Sequence, residues 1–435
     1  MIQDTSEECG VGATDLFTTP PTQTSVERRY QVHVYPSPPI DPRILQPFDF
    51  IVPESDEYYT NLSSHALVLG VKIVKAADGS ALVADDDDKV ALTNFPLHSL
   101  IAQGDVYIND KLVTTSANTY PFNAVFEKYL TYDPETLIHQ FSSELITLDT
   151  PGQLETVAAA NKGFKTRSAY TNRSKIVYLR GSLHIPILRQ ERMLLNQCSL
   201  KIKLHPNNNN FCLMSKDDAG YKFQIVSARL ELEKVKIAPG LLLEHTKLLR
   251  DRKNAIYPIR KGEIKTFSIS AGNTSAVKEN LFVGKMPRRL VIANTESEAY
   301  NGKLSLNPYN FQTFGMTYLC AYVDGERYPN KPLQPNFDSG EYLDCLASLY
   351  DGTGMRNEDR TLAINRENYP KGYTLYVIKM NPGEPDCAAY DLVQKGSIRL
   401  EMKFKEPLAK TVTTLVYAEY DSQMEIDHDR NVMME

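Results

Sequence analysis

Residues 106–113, Val106-Tyr107-Ile108-Asn109-Asp110-Lys111-Leu112-Val113, read as a tight hairpin. Two short apolar runs flank Asn-Asp, a pair that tolerates the left-handed backbone of a two-residue turn. After a polar linker, Phe122, Val125, Phe126, Tyr129 and Leu130 recur at helical spacing. Half a chain later the same grammar returns. Ala321-Tyr322-Val323-Asp324-Gly325 forms a strand and a tight turn, and a Pro-rich linker follows. A helix is then expected over Tyr342 to Tyr350, with Leu343, Leu346, Leu349 and Tyr350 on one face. Strand, turn, linker and helix in the same order point to duplication of a β domain of about 200 residues rather than a short-period solenoid.

The flanking sequence supports an all-β reading. Alternation predicts strands over Tyr30–Tyr35, Phe48–Val52, His65–Val74, Ile176–Leu183, Leu200–Leu204 and Phe223–Val235. In the third of these, Gly70 marks a bulge or a close backbone approach. In the second half, strands are expected at Ile264–Ser270, Arg288–Ala293, Thr317–Val323, Tyr373–Met380, Ser397–Phe404 and Thr413–Tyr420. A helix from Leu92 to Ile101 is expected to be capped by Thr93 or Asn94. Another, opened by Pro239, places Leu241, Leu242, His245, Leu248 and Leu249 on an apolar stripe. Residues 133–175 read as an irregular inserted loop. The division that follows is a flexible N-terminal arm (1–25), a first β domain (26–237), a junction helix and linker (238–254), a second β domain (255–422) and a C-terminal tail (423–435).

Of the 435 residues, 42% are hydrophobic and 23% charged, which excludes global disorder. The net charge of -6 argues against coating nucleic acid by overall charge. No apolar run approaches the ~20 residues of a membrane-spanning helix, so no membrane insertion is expected. The first residues, Met1-Ile2-Gln3-Asp4, lack the positive and apolar regions of a signal peptide, so the chain is expected not to be secreted and its sequons at Asn61, Asn172 and Asn273 to stay idle. Six cysteines, at 9, 198, 212, 320, 345 and 387, show no CxxC spacing and fit reduced thiols.

Motifs for chemistry are scarce. There is no GxGxxG, Walker A, HExxH or GxSxG. No catalytic, cofactor-binding or metal-ligating residues are assigned, no cofactor is expected, and the chain is expected not to be an enzyme. Gly352-Thr353-Gly354 reads as a turn. Asp85-Asp86-Asp87-Asp88 reads as a solvated loop, with a Ca²⁺ site as the lesser reading because the DxDxDG spacing is missing. His245 is expected to be packed or partnered, since Leu241 and Leu249 cannot share a metal with it. Asn207–Asn210 reads as a loop tip with residues tolerant of left-handed backbone. Lys162, Lys165, Arg167, Arg173, Lys175, Arg180, Arg189 and Arg192 form a basic stretch, and Lys247, Arg250, Arg252 and Lys253 a second cluster. The 161–193 stretch suits nucleic-acid phosphates, as in a nucleic-acid-associated virion protein or a cellular β-sandwich binding protein, or acidic loops such as Asp85–Asp88 on a neighbouring subunit; subunit pairing or plain solvation is preferred because the whole chain is acidic and no nucleic-acid motif accompanies the stretch.

A family likeness emerges from the order of several segments: Leu92-Thr93-Asn94-Phe95-Pro96-Leu97-His98-Ser99-Leu100, the 106–110 hairpin, and Asn118-Thr119-Tyr120-Pro121-Phe122. In the second half come Asn280-Leu281-Phe282-Val283-Gly284-Lys285-Met286-Pro287, Tyr300-Asn301-Gly302, Asn307-Pro308-Tyr309-Asn310-Phe311, Val323-Asp324-Gly325-Glu326 and Gly372-Tyr373-Thr374-Leu375. Over about residues 25–420 the chain resembles the hexon-like major capsid proteins of Polintons (Mavericks) and adintoviruses, virus-like integrating DNA elements of animals. The resemblance implies a double jelly roll, two antiparallel sandwiches side by side as in adenovirus hexon. It implies a homotrimer forming a pseudo-hexagonal capsomer, contacts to neighbouring capsomers and to a minor capsid (penton) protein, no sequence-specific nucleic acid, and a place in the virion capsid assembled in the host nucleus or cytoplasm. Long inserts such as 133–175 and 324–340 would be surface loops or intersubunit contacts.

Overall fold

A computed structural model describes residues 16–17, 19–216, 220–380 and 390–434. Most of the arm expected at 1–25, together with Cys9 and Cys387, lies outside the described residues.

The first half contains strands β1 (Val26–Val34), β2 (Phe48–Val52), β3 (Tyr58–Lys75), β4 (Val90–Leu92), β5 (Ile101–Ile108), β6 (Lys111–Leu112), β7 (Val177–Gly181), β8 (Leu200–Pro206), β9 (Leu213–Ser215) and β10 (Tyr221–Ile237). The second contains β11 (Ala255–Ile269), β12 (Ser275–Lys285), β13 (Arg289–Glu296), β14 (Met316–Val323), β15 (Glu326–Leu333), β16 (Tyr376–Lys379), β17 (Lys395–Phe404), β18 (Val412–Ile426) and β19 (Val432–Met434). Between them lie helices α1 (Pro96–Ser99), α2 (Tyr120–Thr131), α3 (Pro134–Ile138), α4 (Lys162–Thr171), α5 (Pro186–Arg189), α6 (Asn209–Cys212), α7 (Pro239–Arg250), α8 (Ser297–Asn301) and α9 (Leu343–Thr353).

The sheets repeat the same topology. In the first half the orders are β1-β10-β3-β7 and β2-β8-β5-β6; in the second they are β11-β18-β13-β16 and β12-β17-β14-β15. Setting β4 and β9 aside, each half runs through its eight strands so that the first pairs the eighth, the eighth the third and the third the sixth. The second pairs the seventh, the seventh the fourth and the fourth the fifth. All these pairings are antiparallel. That is the double Greek key of a jelly roll, twice over. The echo in the sequence is the fourth and fifth strands of each roll with the helix that follows. Both turns are of the expected kind: Asn109 and Asp110 have φ of 48° and 62°, Asp324 and Gly325 of 49° and 96°. The fold is a double jelly roll.

Each roll closes a core between its two sheets. Phe50, Leu69, Ile202 and Phe223 meet in the first, and Phe282, Ile292, Leu400 and Val416 in the second. Gly70 opposes Ser227 beside a register shift, and a Cβ there would sit 2.5 Å from the Ser227 hydroxyl, so the expected close approach is present.

Several expectations need correction. The helix read over Leu92–Ile101 is only the single turn α1, between β4 and β5, because residues 90–101 are buried almost all round and Phe95 takes a left-handed φ of 52° that breaks the run. Neither Thr93 nor Asn94 caps it. Leu248 and Leu343 are exposed rather than on the buried stripes of α7 and α9. Asn207–Asn210 uses no left-handed backbone; Asn208 caps α6, accepting the Phe211 N–H at 2.7 Å. Residues 133–175 are not a surface insert: they hold α3, α4 and short 3₁₀ turns, and bury Leu137, Glu144, Ile146, Asp149, Leu154 and Arg167. Of residues 423–435, read as a tail, 423–426 extend β18 and 432–434 form β19, where Met424, Ile426 and Val432 join the first roll's core.

Candidate functional site

The most elaborated chemistry lies along the seam between the rolls. Helix α2, which follows the first roll's fifth strand, sends Phe122, Val125, Phe126, Tyr129 and Leu130 into the second roll's core. Phe122 stacks on Tyr300 with ring centroids 5.4 Å apart, Phe126 meets Phe311 and Tyr417, and Tyr129 meets Tyr373 edge-on. Gly262 on β11 makes room for the helix, since a Cβ there would lie 2.4 Å from the Tyr417 ring and 2.8 Å from Asn123 Oδ1. In the reverse direction, Tyr257 and Ile259 of β11 and Met424 of β18 enter the first core. Tyr257 Oη donates to the Met193 carbonyl at 3.2 Å and accepts the Leu195 N–H at 3.1 Å.

The 133–175 segment fastens this exchange. Arg167, fully buried on α4, donates to the Leu92 carbonyl at 2.7 Å, to Thr147 at 3.0 Å and to Asp149 Oδ1 at 2.8 Å. The other oxygen of Asp149 accepts from Asn307 of the second roll at 3.2 Å. A charge taken wholly out of water persists because each guanidinium nitrogen finds an acceptor.

Behind α2, towards the first roll, lies a second buried polar group. Glu144 accepts from His98 Nε2 at 2.9 Å and from Lys128 Nζ at 3.0 Å. Gly181 makes room for it: a Cβ there would overlap the Glu144 side chain. Tyr120 Oη accepts the His184 N–H at 3.3 Å and lies 3.0 Å from His98 Nδ1. Burial disfavours the imidazolium, and in the neutral tautomer that places Nε2–H at the carboxylate, Nδ1 accepts from Tyr120. His184 Nδ1 contacts Glu127 at 2.6 Å, and Arg189 pairs with the same carboxylate. Burial pushes His98 and His184 below the usual imidazole range; Lys128 reinforces this in both, whereas Glu144 opposes it. Burial would raise Glu144, but His98 and Lys128 overcome it and keep the carboxylate ionised.

Two clefts of about 540 and 560 Å³ open along β11, both lined by Pro186 and Ile259. Two arginines of the first are already matched, Arg288 with Asp421 at 3.0 Å and Arg289 with Glu419 at 2.7 Å.

The residues singled out in the sequence are dispersed. Asp86 is buried and bonded to the Val83 N–H and to Tyr221, Asp87 pairs with Arg173 at 3.5 Å, and Asp88 pairs with Lys165. Asp85 and Asp88 are exposed, as the solvated-loop reading expects, whereas Asp86 is buried, and the acidic and basic stretches meet within one chain. Arg180 pairs with Glu231 at 2.8 Å, and Arg192 donates to the Ile256 carbonyl at 2.6 Å. With Arg167 interior, the 161–193 stretch is not one basic face. Among the described residues no group of three or more His, Cys, Asp or Glu is placed to hold a metal ion, and no helix is long and apolar enough to cross a membrane. His245 is partnered, its Nδ1 lying 3.0 Å from Tyr59 Oη. Gly354, with φ of 73°, ends α9 in a left-handed cap. Cys198, Cys212, Cys320 and Cys345 are free and buried. What the sequence did not reveal is the cluster of His98, Glu144 and His184. Its one visible trace was the polar residues interrupting otherwise apolar runs.

No family model matches the chain. An uncharacterized protein of Caenorhabditis elegans is 25% identical over 398 residues, spanning 89% of this chain and 93% of the relative. Among solved structures, a chain of the Sputnik virophage superposes with a TM-score of 0.62 at 13% identity, over 99% of this chain and 93% of that one. The mavirus major capsid protein gives 0.56 at 12% identity, over 99% and 95%. The Faustovirus major capsid protein gives 0.55 at 7% identity, over 97% and 93%. The full-length likeness is one of fold: this chain shares the double jelly roll of viral capsid proteins.

Proposed function

We propose that this chain is a major capsid protein, the building block of an icosahedral shell of a virus or virus-like integrating DNA element. The observation that carries the reading is the pair of jelly rolls of identical topology, joined over the whole chain as in the virophage and giant-virus shell proteins. Two rolls per chain give six per trimer, so a homotrimer approximates sixfold symmetry and tiles a flat facet. Within this reading the rolls comprise 26–237 and 255–422 with 238–254 between them, and the partners are neighbouring capsomers and a minor penton protein. The element is of the Polinton or adintovirus type, on the strength of the ordered segments given above, and the chain's place is the virion capsid. The role is structural rather than catalytic. A nucleic-acid role for the 161–193 stretch is disfavoured, because Lys165, Arg167, Arg173, Arg180 and Arg189 pair with carboxylates of the same chain.

The test is the absolute mass of the purified chain by light scattering on a sizing column. A species of three times the 49.1 kDa chain mass, persisting on dilution and yielding shells by electron microscopy, is the expected result. A stable monomer that never forms particles, alone or co-expressed with a minor capsid protein, would overturn the reading.

A further inference from the structure

The cluster behind α2 is built from five separate pieces of the first roll. His98 comes from α1, Tyr120, Glu127 and Lys128 from α2, Glu144 from a 3₁₀ turn, His184 from the loop after β7, and Arg189 from α5. Lys128 and Glu144 are within 1% of complete burial, and so is His98. With both histidines neutral the charges balance: Glu127 and Glu144 against Lys128 and Arg189. The neighbouring groups do not alter this. On the second roll, Arg289 is matched by Glu419, and burial holds the Tyr417 phenol protonated. From β3, His65 is a neutral acceptor, its Nε2 receiving the Leu183 N–H at 2.7 Å while Nδ1 faces the Leu62 carbonyl at 2.7 Å.

We propose that this cluster is an acid-responsive latch: protons entering at His98 and His184 release α2, and with it the contact between the two rolls. A proton on His98 Nδ1 displaces the Tyr120 hydroxyl hydrogen from its acceptor and adds a buried positive charge beside Lys128. A proton on His184 adds a second cation next to Arg189. Each new charge faces only a carboxylate already shared with Lys128 or Arg189, so the outlet is withdrawal of α2. The opposite face of that helix carries Phe122, Phe126 and Tyr129 into the second roll, so its release opens the seam rather than either sandwich. The latch belongs to the single chain and stands apart from the assembly reading.

Hydrogen–deuterium exchange of the intact chain between pH 7.5 and 5.0, corrected for the intrinsic pH dependence of exchange, tests it. Below the ordinary imidazole pKa of about 6.5, each histidine charged on release contributes roughly a tenfold loss of protection per pH unit, so two give about a hundredfold for α2 peptides. Peptides of β10 and β17 are expected to keep their protection over the same range. The His98→Gln and His184→Asn variants each keep the donor to the carboxylate and cannot titrate; each should halve the logarithmic slope for α2. Unchanged protection of α2 in the native protein, equal loss across all strands, or a full slope surviving in both variants would overturn the latch. The native profile decides the matter even where a variant does not fold.

Discussion

Asn109 donates from Nδ2 to the carbonyl of Arg430 at 2.8 Å, tying the hairpin turn of the first roll to the last strand pair of the chain. The guanidinium of Arg430 in turn donates to Asn196, at 3.1 Å to the carbonyl and 3.2 Å to Oδ1. The C-terminal residues therefore close the first roll, although they follow the second.

Truncation after Ser422 should therefore be severe. It removes Met424 and Ile426, both fully buried, and Val432 at 3% exposure. Met424→Ala alone should cost about 2–5 kcal/mol, as for other deeply buried side chains. Chemical denaturation of Met424→Ala, and solubility of the truncated chain, check this.

Phe122→Ala should destabilise by about 3–5 kcal/mol, because the ring is buried against Tyr300, Phe211 and Tyr309. The loss falls at the seam, so calorimetry should show one transition in the native protein splitting towards two in the variant.

Lys128→Ala should cost about 3–5 kcal/mol by leaving the Glu144 carboxylate buried without its cation. A Lys128→Met, Glu144→Leu double variant should recover much of this, because both charges are then removed together. The two denaturation midpoints give the comparison.

Stability should fall on acidification from about pH 6.5. His65, His98 and His184 all have folded pKa values below the ordinary imidazole value, through burial above all, with His65 brought down to about 4. The unfolded chain binds protons below pH 6.5 that the folded chain does not, so stability is full above that pH. It is lost below it at about 1.4 kcal/mol per pH unit for each histidine. Denaturant midpoints at pH 7.5, 6.0 and 5.0 measure the slope, and His65→Gln should reduce it.

Asp87→Asn and Asp88→Asn should change stability by less than about 1 kcal/mol each, since their pairs with Arg173 and Lys165 are largely open to water. Calcium or a chelator should leave the thermal midpoint of the native chain unmoved. A shift with calcium would restore the cation reading of 85–88.

The strands and the repeat were legible because they rest on local chemistry. Alternation along β1, the positive-φ tolerance of Asn109-Asp110 and Asp324-Gly325, and the helical spacing of Phe122 to Leu130 are properties of neighbouring residues. What α2 packs against is not. Its apolar face reads the same whether it covers its own sandwich or, as here, the other one. Length misled at Leu92–Ile101, where an apolar run long enough for a helix is instead buried on all sides as strand, single turn and strand. Polarity misled at 133–175, where Asp149, Asn161 and Arg167 look solvent-seeking yet are buried, Arg167 paired with Asp149 and Asn161 accepting the Thr150 N–H.

The sequence by itself determined two β units of one design, their order and their turns, since each depends on side-chain alternation and backbone preference over a few residues. Only the tertiary structure decided which polar groups are buried and which are surface. His98, Glu144 and His184 acquire their neutral and ionised states from burial and from partners up to 86 positions away, and the mutual insertion of α2 and the C-terminal strands is set by which apolar surfaces remain uncovered once both rolls have closed.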